Sequence, residues 1–149
     1  MSTKPIVVGV DGTSASDQAL EWALDEAIVR HCPLHVVNVW NFEALVDWTE
    51  TTEQRVRAES EAVVEKAVQK AAGKREEVPE IVRQSLRGAA AETLERASEG
   101  AAMLVVASHT GHRIRQIVLG STSMHVVRHA HAPIVVIPVS DRELVETTR

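Results

Sequence analysis

The stretch VVASHTGHRIRQIVLGSTS, residues 105–123, carries the side chains best suited to chemistry. It runs from a buried-type strand through a polar, basic loop into Gly120-Ser121-Thr122-Ser123, a sequence that reads as the mouth of a helix. Glycine lets an anion approach the main chain, and each hydroxyl can donate a hydrogen bond. The first N–H groups of a helix, with its dipole behind them, favour negative charge. The chemistry this set suits is holding a phosphate. Arg113 and Arg115 lie in the same loop, beside His112 and Gly111. One charge-assisted hydrogen bond from such a group contributes about 1.5–3 kcal/mol. A second candidate is Asp11, at the end of the apolar run IVVGV. Blander roles stand beside these. Asp11 fits a turn-closing residue, Gly120-Ser121 an ordinary helix cap, and the two arginines solvated loop charges.

Other reactive side chains point to less. His109, His112, His125, His129 and His131 cluster in sequence, and His125 and His129 are spaced to share a helix face. With no carboxylate or cysteine at suitable spacing, that pair is expected to be an exposed face and not a metal site. Cys32 is the single cysteine, so no internal disulfide forms and a reducing, cytoplasmic setting is expected. It reads as a small packed thiol. Trp22, Trp40 and Trp48 read as core or rim packing. No Gly-x4-Gly-Lys loop is present, which argues against a P-loop NTPase. A small hydrolase using Asp11 and the loop histidines lacks a nucleophile–base arrangement.

The elements that would position these residues follow from hydrophobic pattern. Short apolar runs at 6–10 (IVVGV), 34–40 (LHVVNVW), 81–86 (IVRQSL), 102–107 (AMLVVA) and 133–138 (PIVVIP) read as strands. Helical spacing follows residues 13–16, covers 50–72 up to Gly73, covers 89–97 up to Gly100, and covers 123–129. Strands alternating with helices predict an α/β protein with a mainly parallel sheet. In such sheets ligands sit beyond the carboxyl ends of the strands, where strand order reverses. The 108–123 connection is long for a strand-to-helix loop, as functional loops often are.

The 149 residues fit one domain over 1–140 with a polar tail at 141–149. A net charge of −5 argues against bulk attraction to nucleic acid. No run is long enough to span a bilayer, and the first residues lack a secretory pattern.

Several blocks together resemble the universal stress protein family over nearly the whole chain. They are VVGVDGTSASDQALEWA at 7–23, HVVNVW at 35–40, LRGAAAETL at 86–94, the 105–123 stretch, and VVRHAHAPIVVIP after it. The resemblance implies a Rossmann-like, three-layer α/β fold with a five-stranded parallel sheet of order 3-2-1-4-5. It also implies a homodimer, and a division into ATP-binding members and nucleotide-free members of the universal stress protein A type. The family's signature, Gly-x2-Gly-x9-Gly-[Ser/Thr], falls on Ala107, Thr110, Gly120 and Ser121. The last pair matches, and the first two positions have lost their glycines. Asp11 matches the acidic residue that meets ribose in the family, and Val39 a position whose backbone meets adenine. The nucleotide set implied is therefore Asp11, Val39, Ala107, Thr110, Gly120, Ser121, Thr122 and Ser123. Gly111, Arg113 and Arg115 are further candidate phosphate contacts.

ATP is the expected ligand, with AMP or cyclic AMP as variants, no metal, and at most slow ATP hydrolysis. A left-handed backbone at the Thr110 position would cost about 1–2 kcal/mol without glycine. That is comparable to one added cationic contact. The alternative is a nucleotide-free dimeric interaction protein. In the family's strand order residues 134–139, from Ile134 to Val139, form an apolar sheet edge. Pairing with a second copy would cover it.

Overall fold

A computed structural model describes residues 4–42, 52–110, 117–118 and 121–138. The order of elements is β1 (Ile6–Gly9), α1 (Ser14–Arg30), β2 (Leu34–Trp40), α2 (Glu53–Ala72), β3 (Ile81–Arg87), α3 (Ala90–Ala97), β4 (Met103–Ala107), β5 (His109–Thr110), β6 (Ile117–Val118), α4 (Ser121–His129) and β7 (Ile134–Ile137). The main sheet is parallel, of order β3-β2-β1-β4-β7. This is the 3-2-1-4-5 order of an α/β Rossmann-like fold.

The layers follow from which face each strand residue presents. Ile6, Val8, Leu34, Val36 and Val105 pack with Leu20 and Leu24 of α1 and Val64 and Val68 of α2. Val7, Val37, Leu104 and Val106 pack with Leu94 of α3 and Val126 of α4. Alternate residues of each central strand thus enter opposite cores, which explains why these strands are apolar without interruption. Fully burying one such aliphatic side chain contributes about 1.5–3 kcal/mol.

Helix ends are specified locally. Thr13 caps α1, its hydroxyl accepting from Ser16 N. The helix stops at His31, whose left-handed φ of 54° returns its N–H to Ala27 and Ile28. Thr52 caps α2 in the same way, so that helix opens at Glu53. Its C-cap, Gly73, stays right-handed at φ −63° and uses none of glycine's freedom. Lys70 of α2, with Lys74 and Arg75 just past its end, faces three carboxylates of α1. The pairs are Lys70–Asp17, Lys74–Glu21 and Arg75–Asp25.

The structure revises the sequence reading in two places near the site. Helix α4 opens at Ser121, two residues before the expected start at Ser123. The 108–123 connection also contains secondary structure, an antiparallel pairing of His109 with Val118 and Thr110 with Ile117. Three of those four residues are β-branched, the types that favour strands.

Candidate functional site

Strand order reverses between β1 and β4, and a cleft of about 270 Å³ opens there beyond the carboxyl ends of the central strands. Three helices begin around it. Thr13 and Ser16 open α1, Ala90 opens α3, and Ser121, Thr122 and Ser123 open α4. The floor and walls come from Gly9, Val10, Val37, Asn38, Val39, Leu94, Val106 and Ala107.

The β1–β2 ladder ends inside this cleft. The last paired residues are Gly9 and Val37, followed by one further rung from Val10 N to Val37 O at 2.8 Å. β2 continues for three residues beyond Val37. Along a parallel strand the polar groups of successive residues face alternate neighbours. Val37 faces β1, and Trp40, which accepts Gly88 N at 2.9 Å, faces the β3 side. Val39 therefore aims its N–H and C=O to the side β1 has vacated, into the cleft. One main-chain donor and one acceptor stand there together.

Asp11 sits exposed on the rim. Its Oδ1 accepts from Thr13 N at 2.9 Å and from the Thr13 hydroxyl, while its own N–H donates to Ser16 Oγ at 3.1 Å. This Asx-type turn fixes the carboxylate at the edge of the cleft. The turn-closing role and a ligand-facing position are thus compatible.

Opposite lies the first turn of α4, with no acidic residue in it to oppose an anion. Its three leading N–H groups lack partners within the helix. Ser121 and Thr122 of that turn line the cleft. Ser123 does not serve in the same way: it is buried, and its Oγ donates to Ala107 O at 3.1 Å. That bond latches α4 to the end of β4 and withdraws one of the expected hydroxyl donors.

Asp11, Val39, Ala107, Ser121, Thr122 and Ser123 thus line one cleft, although they are far apart in sequence. Thr110 falls in β5. Gly120, Gly111, Arg113 and Arg115 lie outside the described residues. Sequence reasoning overlooked Asn38, whose amide stood as the single polar group within the run VVNVW. It also overlooked Ala90 and Leu94, which close the α3 side.

The histidine face differs from expectation. His125 Nε2 lies 3.2 Å from Glu95 Oε2 of α3, and its ring stands 4.4 Å from that of His129. A carboxylate does reach it, from a different helix. Among the described residues no group of three or more His, Cys, Asp or Glu side chains is arranged to hold a metal ion. Cys32 is packed in the core, where burial pushes its thiol pKa up. No helix among the described residues is long and apolar enough to cross a membrane.

Fold and cleft together define a doubly wound α/β protein with an open cleft at its switch point. The sequence profile of the universal stress protein family matches residues 2–138. A universal stress protein of Mycobacterium tuberculosis is 33% identical over 158 residues, covering 92% of this chain and 49% of the relative. The chain spans about half the length of the curated relatives it matches. It is similar in fold to a universal stress protein solved in complex with cAMP, with a TM-score of 0.72 and 20% identity over 93% of this chain and 100% of that one. It is likewise similar to the universal stress protein from Archaeoglobus fulgidus in complex with dAMP, with a TM-score of 0.68 and 23% identity over 92% and 99%. This chain belongs to the universal stress protein family.

Proposed function

We propose that the cleft holds an adenine nucleotide and that the protein acts as a nucleotide-responsive regulator of a stress response. In this reading the Val39 N–H and C=O meet the edge of adenine. Asp11 accepts from ribose hydroxyls. The first-turn N–H groups of α4, with the Ser121 and Thr122 hydroxyls and Gly120, receive phosphate. The observation that carries the reading is the convergence on one cleft of an unpaired main-chain donor–acceptor pair, a braced carboxylate and an acid-free helix start. The cAMP and dAMP complexes of the two structural relatives support it. In this reading catalysis is at most slow ATP hydrolysis.

Ala107 and Thr110 stand where the family signature has glycine, and Ser123 is engaged by Ala107 O. Recognition therefore rests mainly on the nucleoside. AMP and cyclic AMP are expected to bind within about tenfold of ATP, a difference of about 1.4 kcal/mol. Isothermal titration with the three nucleotides tests this. No heat and no thermal shift at millimolar nucleotide would overturn it in favour of a nucleotide-free interaction protein.

We further infer a homodimer through the β7 edge. Ile134, Val135, Val136 and Ile137 are all only partly buried at the margin of the sheet. Met124 and Val127 are exposed on α4, on its flank away from His125 and α3. A partly exposed apolar edge of this kind favours pairing. Val139, the last residue of the expected interface, lies outside the described residues. A monomer by light scattering at micromolar concentration would exclude the dimer. The lone reduced Cys32 supports a cytoplasmic setting.

A further inference from the structure

We infer that Asn38 is a positioning residue that sets the Asp11 carboxylate for the ligand, its own amide oriented by Val10 O and held in place by Ser60 and Ser85. The inference rests on the nucleotide reading above. The peptide unit joining Val10 to Asp11 lies beyond the β1–β4 pairing, which ends at Val8 and Val105. Its two polar atoms are both held by side chains. Val10 O accepts from Asn38 Nδ2 at 2.7 Å, and Asp11 N donates to Ser16 Oγ at 3.1 Å. Fixing both ends of one peptide plane fixes where the Asp11 Cα sits, and the Thr13 bonds to Oδ1 then set the direction of the carboxylate.

The orientation of the Asn38 amide follows from chemistry. A carbonyl only accepts, so the NH2 must face Val10 O and Oδ1 must face the other way. There it accepts from Ser60 Oγ at 2.6 Å, and Ser60 Oγ in turn accepts from Ser85 Oγ at 2.7 Å. Ser60 is 4% exposed, so water offers little competition for its hydroxyl. The bonds all run one way, from Ser85 on β3 through Ser60 on α2 to Asn38 on β2, and then to the Val10–Asp11 peptide. The set rotamer of a cleft residue is thus supported by two elements that do not line the cleft.

Asn38→Asp is nearly isosteric and faces Val10 O with an acceptor, so it breaks the bond without opening a cavity. AMP and 2′,3′-dideoxy-AMP are titrated calorimetrically into the parent, Asp11→Ala and Asn38→Asp. The ratio of the two dissociation constants reads the grip on the ribose hydroxyls. Added negative charge or a general loosening shifts both ligands alike and leaves the ratio unchanged. The expected result is about a tenfold loss of AMP affinity in Asn38→Asp. Its ratio falls toward one, as in Asp11→Ala, and the double variant shows no further fall. Ser60→Ala, which keeps Val10 O paired, lowers the ratio in the same direction by a smaller factor, and it carries the test if Asn38→Asp does not fold. A ratio that collapses in Asp11→Ala but keeps its parent value in Asn38→Asp, or in Ser60→Ala where that variant carries the test, overturns the positioning role alone. A parent-like ratio in Asp11→Ala overturns the ribose reading and this inference with it.

Discussion

The two sides of the cleft are built to different standards. On the α1 side, Asp11 and its preceding peptide are held by Thr13, Ser16 and Asn38. On the α4 side, among the described residues, one side-chain bond, from Ser123 to Ala107 O, ties the helix start to the sheet. The first arrangement is held by the protein's own groups, so in the nucleotide reading little ordering cost remains at binding. The second depends on main-chain N–H groups and a helix dipole, which attract any anion with less regard to its shape. Where the signature glycines are replaced, at Ala107 and Thr110, the replacement falls on the second side. The difference teaches that a site can weaken in one half while the scaffold of the other half stays intact.

That contrast can be broken experimentally. Asp11→Ala is expected to lower affinity for AMP by about thirtyfold, the loss of a charge-assisted hydrogen bond of about 2 kcal/mol. Titration calorimetry reads it, and equal losses from Asp11→Ala and Ser123→Ala would erase the asymmetry. Ser123→Ala is expected to weaken ATP by about fivefold and AMP less, because the α4 latch loses a bond worth about 1 kcal/mol. The same titrations decide it. Thr93, buried under Gly88 with its hydroxyl unpartnered, offers a change outside both halves. Thr93→Val removes that hydroxyl and is expected to raise stability by about 1 kcal/mol in urea unfolding, with nucleotide affinity unchanged.

The smallest effect is a pH dependence remote from the cleft. The Arg75 guanidinium, hydrogen-bonded to Asp25, holds that carboxyl below its ordinary range. A depressed folded pKa gives stability that is present above the unfolded value, about 3.9, and lost as pH falls through the folded one. Because Asp25 is mostly exposed, the contribution is small. The urea midpoint of Asp25→Asn should lie slightly below that of the parent at pH 6, and the gap should begin to close as pH falls below about 4. A gap that does not narrow at all as pH falls further would remove the pairing as its cause.

Strands buried on both faces leave a plain mark in sequence. The apolar run at 34–40 matches β2 residue for residue, and strand order followed from the family resemblance. What stayed hidden were contacts between distant segments. His125 gave no hint of Glu95, thirty positions earlier, because the two helices meet only in the folded protein. Ser60 is a polar residue in a helix that buries Val64, Ala67, Val68 and Ala71, and its bond to Asn38 shows only in the folded protein. The start of α4 shifted because Gly120-Ser121-Thr122-Ser123 offers several adjacent residues that cap about equally well. The β5–β6 pairing is two residues long on each side, too short for periodicity to register.

The early end of β1 has a consequence for how this protein can change. In the proposed nucleotide reading Val39 meets the base with groups that every amino acid except proline carries, so base recognition would be indifferent to the letter at that position. Selection can rewrite the side chain to suit the packing around it while the reader of the ligand persists. Two such proteins could diverge until their sequences share little at this strand and still grip the same base. What has to be inherited is the length difference between two neighbouring strands, a property of where a chain turns away and not of any residue that touches the ligand.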